Sequence, residues 1–153
     1  MYEILRLGML NCQGIEGKFE TPEFCKLISS GDIFGVCETW LNNDKKAISI
    51  PGFNFYPFNR TKENHTTRGG LGVFIRHECK KHVKVMYDIS TENILWCKVL
   101  KSFLNFDEDL YIGIVYIPPE HINLRIMSKK RDSLLLNQKS YGMKIHNIYF
   151  SGI

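Results

Sequence analysis

Ile4-Leu5-Arg6-Leu7-Gly8-Met9-Leu10 leads into Asn11-Cys12-Gln13-Gly14, and Asp32-Ile33-Phe34-Gly35-Val36-Cys37 leads into Glu38-Thr39-Trp40-Leu41. Each is a short apolar run that ends in a polar, turn-forming cluster, which reads as a buried strand feeding a loop. Between them, Thr21 and Pro22 supply an N-cap and a first-turn proline, and Glu23 suits the positive end of a helix. Phe24, Leu27 and Ile28 recur at helical spacing, and Gly31 closes the segment. Strand, helix, strand over this distance is the pattern of a parallel βαβ unit, so the fold class expected is α/β.

Downstream of this unit the helical signal gives way to short β-like runs. Phe53 to Phe58 is aromatic, Leu71 to Ile75 is branched and apolar behind Gly69-Gly70, and Val83 to Tyr87 alternates. Ile94 to Leu100 and Leu110 to Ile117 follow, the last stopped by Pro118-Pro119. A largely antiparallel set of strands is expected here. Ile122, Ile126, Met127, Leu134 and Tyr141 then fall near helical spacing with Gly142 as a cap, and Ile145 to Phe150 is a final β-like run.

The 153 residues, 44% hydrophobic and 24% charged, have the apolar material for one globular domain and exclude disordered and collagen-like classes. The net charge of +4 is unevenly placed. Arg125, Lys129, Lys130, Arg131, Lys139 and Lys144 stand against Asp132 alone beyond residue 120, and the rest of the chain is close to neutral. The charge is therefore weak support for a polyanion partner. Cys12, Cys25, Cys37, Cys79 and Cys97 are odd in number and form no Cys-x-x-Cys pair, which points to free thiols in a reducing compartment. The N-terminal stretch carries Glu3 and Arg6 and is no signal peptide, and no window approaches the roughly 20 apolar residues of a membrane span. No membrane association and a nuclear or cytoplasmic location are expected.

Asn11 and Glu38 sit at the C-terminal ends of two buried runs, where ligands bind in α/β sheets. A carboxylate there suits a hard cation such as Mg²⁺, and an amide would orient a water or a phosphate oxygen. Tyr116, two residues before Pro118-Pro119, offers a phenol at the end of a third run. The blander reading of the same residues is a turn cap, a solvated loop acid and a packing tyrosine with a wet hydroxyl. His77, Cys79 and His82 have no second ligand cluster, Lys129-Lys130-Arg131 reads first as a solvated helix face, and Trp40 and Trp96 read as packing.

Four runs carry a resemblance when taken in order: Leu7 to Ile15, Asp32 to Leu41 with its Glu-Thr-Trp-Leu, Arg68-Gly69-Gly70 to Ile75, and Tyr111 to Pro119. Together they resemble the endonuclease/exonuclease/phosphatase superfamily, and within it the endonucleases of LINE-type (non-LTR) retrotransposons, best over residues 5–119. The resemblance implies a DNase I-like four-layer α/β sandwich, present here in part, mostly as its first half with mixed and antiparallel strands. It implies a DNA-nicking phosphodiesterase that uses Mg²⁺ or Mn²⁺. Glu38 matches the family's metal-binding glutamate, Asn11 its first-motif asparagine and Tyr116 the tyrosine on the scissile phosphate, and Arg60 and Arg68 would lie against the DNA backbone. The family's Gly-Asp-x-Asn strand is matched by Asn147 to Gly152, but Ile153 stands where the aspartate belongs and no later Asp-His pair follows. Residues 1–153 are therefore expected to be one incomplete domain, inactive as this chain, with a sheet face left open to a protein partner. Two alternatives stay open: a non-catalytic interaction module, or a superfamily phosphatase acting on phospholipid head groups.

Overall fold

β1 (Leu7–Asn11) and β2 (Ile33–Cys37) lie side by side in parallel, with Asn11 opposite Cys37, and α1 (Pro22–Ser29) connects them, as the βαβ pattern requires. The structure, a computed structural model, describes residues 4–41, 48–60 and 69–117. Arg68, Pro118-Pro119, the helix expected over 122–141 and the strand expected over 145–150 lie outside the described residues.

Thr21 is the N-cap of α1 in extended conformation, its hydroxyl accepting from the Phe24 N–H at 3.4 Å, with Pro22 in the first turn. Phe24 and Ile28, four residues apart, share the buried face. Leu27, expected beside them, is exposed: it lies on the flank of that stripe.

β2 pairs on its other side with β4 (Leu71–Arg76), which pairs with β3 (Phe53–Phe58), giving a mixed four-stranded sheet in the order β1-β2-β4-β3. Every residue of β2 is buried, as is every residue of β4 but Arg76, which is why both read as near-continuous apolar runs. A second, antiparallel sheet has the order β5-β6-β7, from β5 (Val83–Val85), β6 (Ile94–Val99) and β7 (Leu110–Val115). Alternation divides the first sheet's side chains between two clusters. Phe34, Val36 and Phe74 pack under α1 with Phe24 and Ile28. Ile33, Cys37, Leu71, Val73 and Ile75 meet Leu95, Cys97, Val99, Ile112 and Ile114 of the second sheet. Gly35 sets the approach, since a Cβ there would stand 2.8 Å from Ile114.

Two expectations change. The first sheet is covered on both faces, by α1 on one and on the other by the second sheet, whose described strands come from residues 83–115. Among the described residues, the face of the first sheet that was expected to stand open is packed against the second sheet. The alternation of Val83 to Tyr87 yields only three strand residues. After Met86, Tyr87–Ile89 turns as a 3-10 helix, and the Ser90 hydroxyl both donates to the Met86 carbonyl and accepts from the Trp96 N–H. His77–His82 is likewise a 3-10 helix, with Cys79 buried and His82 stacked on Phe103 at 4.4 Å between ring centroids. A short helix, α2 (Lys101–Leu104), joins β6 to β7.

Opposite the strand ends that carry Asn11 and Glu38, a charged clamp closes the first sheet. The buried Asp32 carboxylate accepts from Arg6 Nε at 3.2 Å, Arg6 Nη2 at 3.0 Å and Arg76 Nε at 3.0 Å. Arg76 Nη2 also donates to the Ser29 and Gly31 carbonyls at 2.7 and 2.8 Å, capping α1.

Candidate functional site

The segment after β2 is held in an unusual backbone path. Glu38 and Trp40 both have positive φ, at 52° and 54°, a region that side chains with a Cβ enter only under restraint. The restraints are hydrogen bonds from both sides. Gly14 N–H donates to the Glu38 carbonyl at 2.7 Å and Ile15 N–H to the Thr39 carbonyl at 3.0 Å; Trp40 N–H donates to the Gly69 carbonyl at 3.0 Å. Gly70, at φ 84°, lets the Thr39 hydroxyl lie where a Cβ would come within 2.5 Å. The loop after β1 is pinned in turn: the Asn11 amide oxygen accepts from the Gln13 N–H at 3.2 Å, and the Lys18 ammonium donates to the Cys12 and Gln13 carbonyls.

Held this way, the Glu38 carboxylate receives the hydrogen bond of the Tyr116 hydroxyl, which arrives from the end of β7. Burial, followed by that bond and the Glu38 charge, pushes the Tyr116 phenol well above its ordinary value, with the Arg60 charge acting in the opposite direction. Tyr116 is therefore a protonated donor at every physiological pH. Arg60, just past β3, is half-buried over Gly69: a Cβ on that glycine would stand 2.7 Å from Arg60 Nε. Its Nη2 donates to Asn93 Oδ1 at 3.2 Å, and its Nε is 3.9 Å from a Glu92 carboxylate oxygen on the rim.

Of the residues singled out from sequence, Glu38 and Tyr116 are in direct contact, and Arg60 stands beside them. Asn11 ends the neighbouring strand on the same sheet edge, exposed, with its amide oxygen engaged by Gln13. Arg68 falls outside the described residues. Asn93 carries no signal of its own in the sequence. Its side chain meets Arg60 and its carbonyl accepts from the Tyr116 N–H at 3.0 Å, yet in sequence it is one polar residue of a turn.

One end of the two sheets thus gathers a carboxylate, a phenol donor and a guanidinium. Among the described residues no three His, Cys, Asp or Glu side chains are assembled to hold a metal, and no helix is long and apolar enough to cross a membrane. No protein-family model and no curated protein matches the chain.

Proposed function

We propose that residues 1–153 carry the cation-facing and phosphate-facing part of a metal-dependent phosphodiesterase of the endonuclease/exonuclease/phosphatase superfamily, its LINE-type branch, acting on DNA. The scaffold would be part of the four-layer α/β sandwich of that superfamily. The observation that carries the reading is the contact between Glu38 and Tyr116, 78 residues apart, made by groups at the C-terminal ends of β2 and β7.

The donor set fits a magnesium ion of the open kind. Mg²⁺ keeps several waters and takes one or two protein carboxylates together with substrate phosphate oxygens, so Glu38 alone among these residues is a sufficient anchor. When bound, the ion would supply charge stabilisation on the phosphate and on the leaving oxygen. Tyr116 holds its proton and directs it at Glu38, from where it can be redirected to a phosphate oxygen. Arg60 adds a positive charge on the same side, and Asn11 offers an amide at the rim.

The group that would activate the attacking water is not among the residues gathered here, and its loss typically removes 10²- to 10⁴-fold in rate. Binding without turnover is the expected behaviour of this chain. Mn²⁺ titration followed by electron paramagnetic resonance should find one weak site that Glu38→Gln abolishes; equal binding by both proteins would sink the metal role. A supercoiled plasmid incubated with Mg²⁺ should stay closed. Robust nicking that Glu38→Ala removes would overturn the inactivity while upholding the site.

A further inference from the structure

Asn93 makes two contacts with two different parts of the site. Its carbonyl accepts from the Tyr116 N–H at 3.0 Å, and its side-chain oxygen accepts from Arg60 Nη2 at 3.2 Å. The first contact belongs to the backbone and survives any substitution. The second is the side chain's alone, and among the described residues the ion pair of this guanidinium is with Glu92, at 3.9 Å and with a mostly exposed side chain. An exposed carboxylate at that distance is screened and holds an arginine loosely. A planar fork with a long flexible stem is oriented when one of its nitrogens is tied. Gly69 supplies the floor on which the fork lies, and Arg60 Nε, buried there, has no hydrogen-bond acceptor among the described residues. A buried donor left open beside an ordered guanidinium is the state expected of a group that waits for an anionic ligand.

We propose that Asn93 is a positioning residue of this site, holding the Arg60 guanidinium over Gly69 and beside Tyr116 and Glu38. The choice of asparagine matters, because a neutral acceptor orients the arginine without cancelling its charge, whereas an aspartate would do both. The identity of the anion rests on the phosphodiester reading above; the positioning is a property of the free protein and is tested separately.

The test uses the full chain labelled with ¹⁵N. The Arg60 Nε–Hε resonance, assigned by its disappearance in Arg60→Lys, should be sharp and slow to exchange. Asn93→Ala should broaden or erase it, and Asn93→Asp, which keeps an acceptor, should retain it. The backbone amide of Tyr116 should keep its shift in both variants, which reports that the fold is intact. An Arg60 resonance unchanged by Asn93→Ala overturns the proposal. Binding of a short DNA duplex at low salt in the presence of Mg²⁺ gives the second readout. Asn93→Ala should weaken it about tenfold, the size expected for a hydrogen bond to a charged group, and add nothing in an Arg60→Ala background. Additive losses would show that Asn93 acts independently of Arg60 and also overturn the proposal. Should Arg60→Ala leave DNA binding unchanged while the resonance responds as described, the positioning stands and the DNA reading falls.

Discussion

Asp32 is a fully buried carboxylate whose compensation comes from two arginines on different elements. Burial alone would raise its pKa, but bonds and charge from Arg6, with the bond from Arg76, outweigh it and hold the carboxyl below its ordinary value. A depressed folded-state pKa means that the stabilisation is fully present above the unfolded value of about 3.9 and is lost as pH falls through the lower folded one. Asp32→Asn should therefore cost about 3 kcal/mol at pH 7, because Arg6 and Arg76 lose their shared ionic partner, Arg76 in a mostly buried place. It should also flatten the loss of stability below about pH 4, and urea midpoints from pH 7 to pH 3 would show both effects. Gly70 is the other residue with a sharp consequence. A methyl group there meets the Thr39 hydroxyl at 2.5 Å on a backbone at φ 84°, so Gly70→Ala should destabilise by about 1–3 kcal/mol. It should weaken Mn²⁺ binding as well, since Thr39 and Trp40 hold Glu38 in place, whereas unchanged binding would mean that the Glu38 path does not depend on Gly70. That Glu38 and Tyr116 are polar groups at the ends of apolar runs is plain in the sequence, and their roles there rest on the family resemblance; that they meet is what the fold adds. Asn93 was not legible, since its importance depends on which residue of β7 its turn adjoins and on where a side chain from β3 comes to rest.

α1 was legible almost to the residue, because its signals are local: a threonine cap, a proline in the first turn, apolar residues four apart and a glycine beyond the end. Those signals carry measurable weight. Thr21→Ala removes the side-chain acceptor for the Phe24 N–H and should cost about 1 kcal/mol. Phe24→Ala empties part of the cluster beneath the helix and should cost about 3–5 kcal/mol. Comparable costs in denaturant titrations of the two variants would mean that the cap holds α1 as strongly as its packing does. β2, β3, β4 and β6 were placed from sequence to within a residue for a similar reason, their apolar runs being bounded by turn residues. β5 was overread. Alternation continues through Val83, Val85 and Tyr87, but the backbone leaves the ladder after Met86 to satisfy the Ser90 hydroxyl, and periodicity contains no term for that competition. β1 begins later than its apolar run suggests, since the residue before it, Arg6, gives its backbone N–H to Asp32 at 2.9 Å.

At the scale of the molecule, the two sheets define one shared core, and three of the five thiols report on it. Cys37 and Cys97 face each other's sheet and Cys79 lies in the same cluster, while Cys12 is buried near the helix-side loop. Burial pushes the Cys37 and Cys97 thiols up to about 12 and, with smaller opposing effects, Cys12 to about 11, so all three stay protonated and poorly nucleophilic. Cys25 is partly exposed on α1. Iodoacetamide at pH 8 should then modify Cys25 in the native protein and spare the other four until denaturant is added, as read by mass spectrometry. Gly35→Val gives the complementary experiment. Its side chain would enter the space taken by Ile114, 2.8 Å from the first added carbon, and the sheets must separate or Ile114 must leave its rotamer. Overpacking of this kind costs about 1–3 kcal/mol. Because the strain falls between the sheets, labelling of Cys37 and Cys97 should accelerate together, by the same factor as the global equilibrium shifts, while Cys25 keeps its rate. Acceleration at Cys37 alone would mean that the strain is relieved within the first sheet and that the two sheets do not open as one unit.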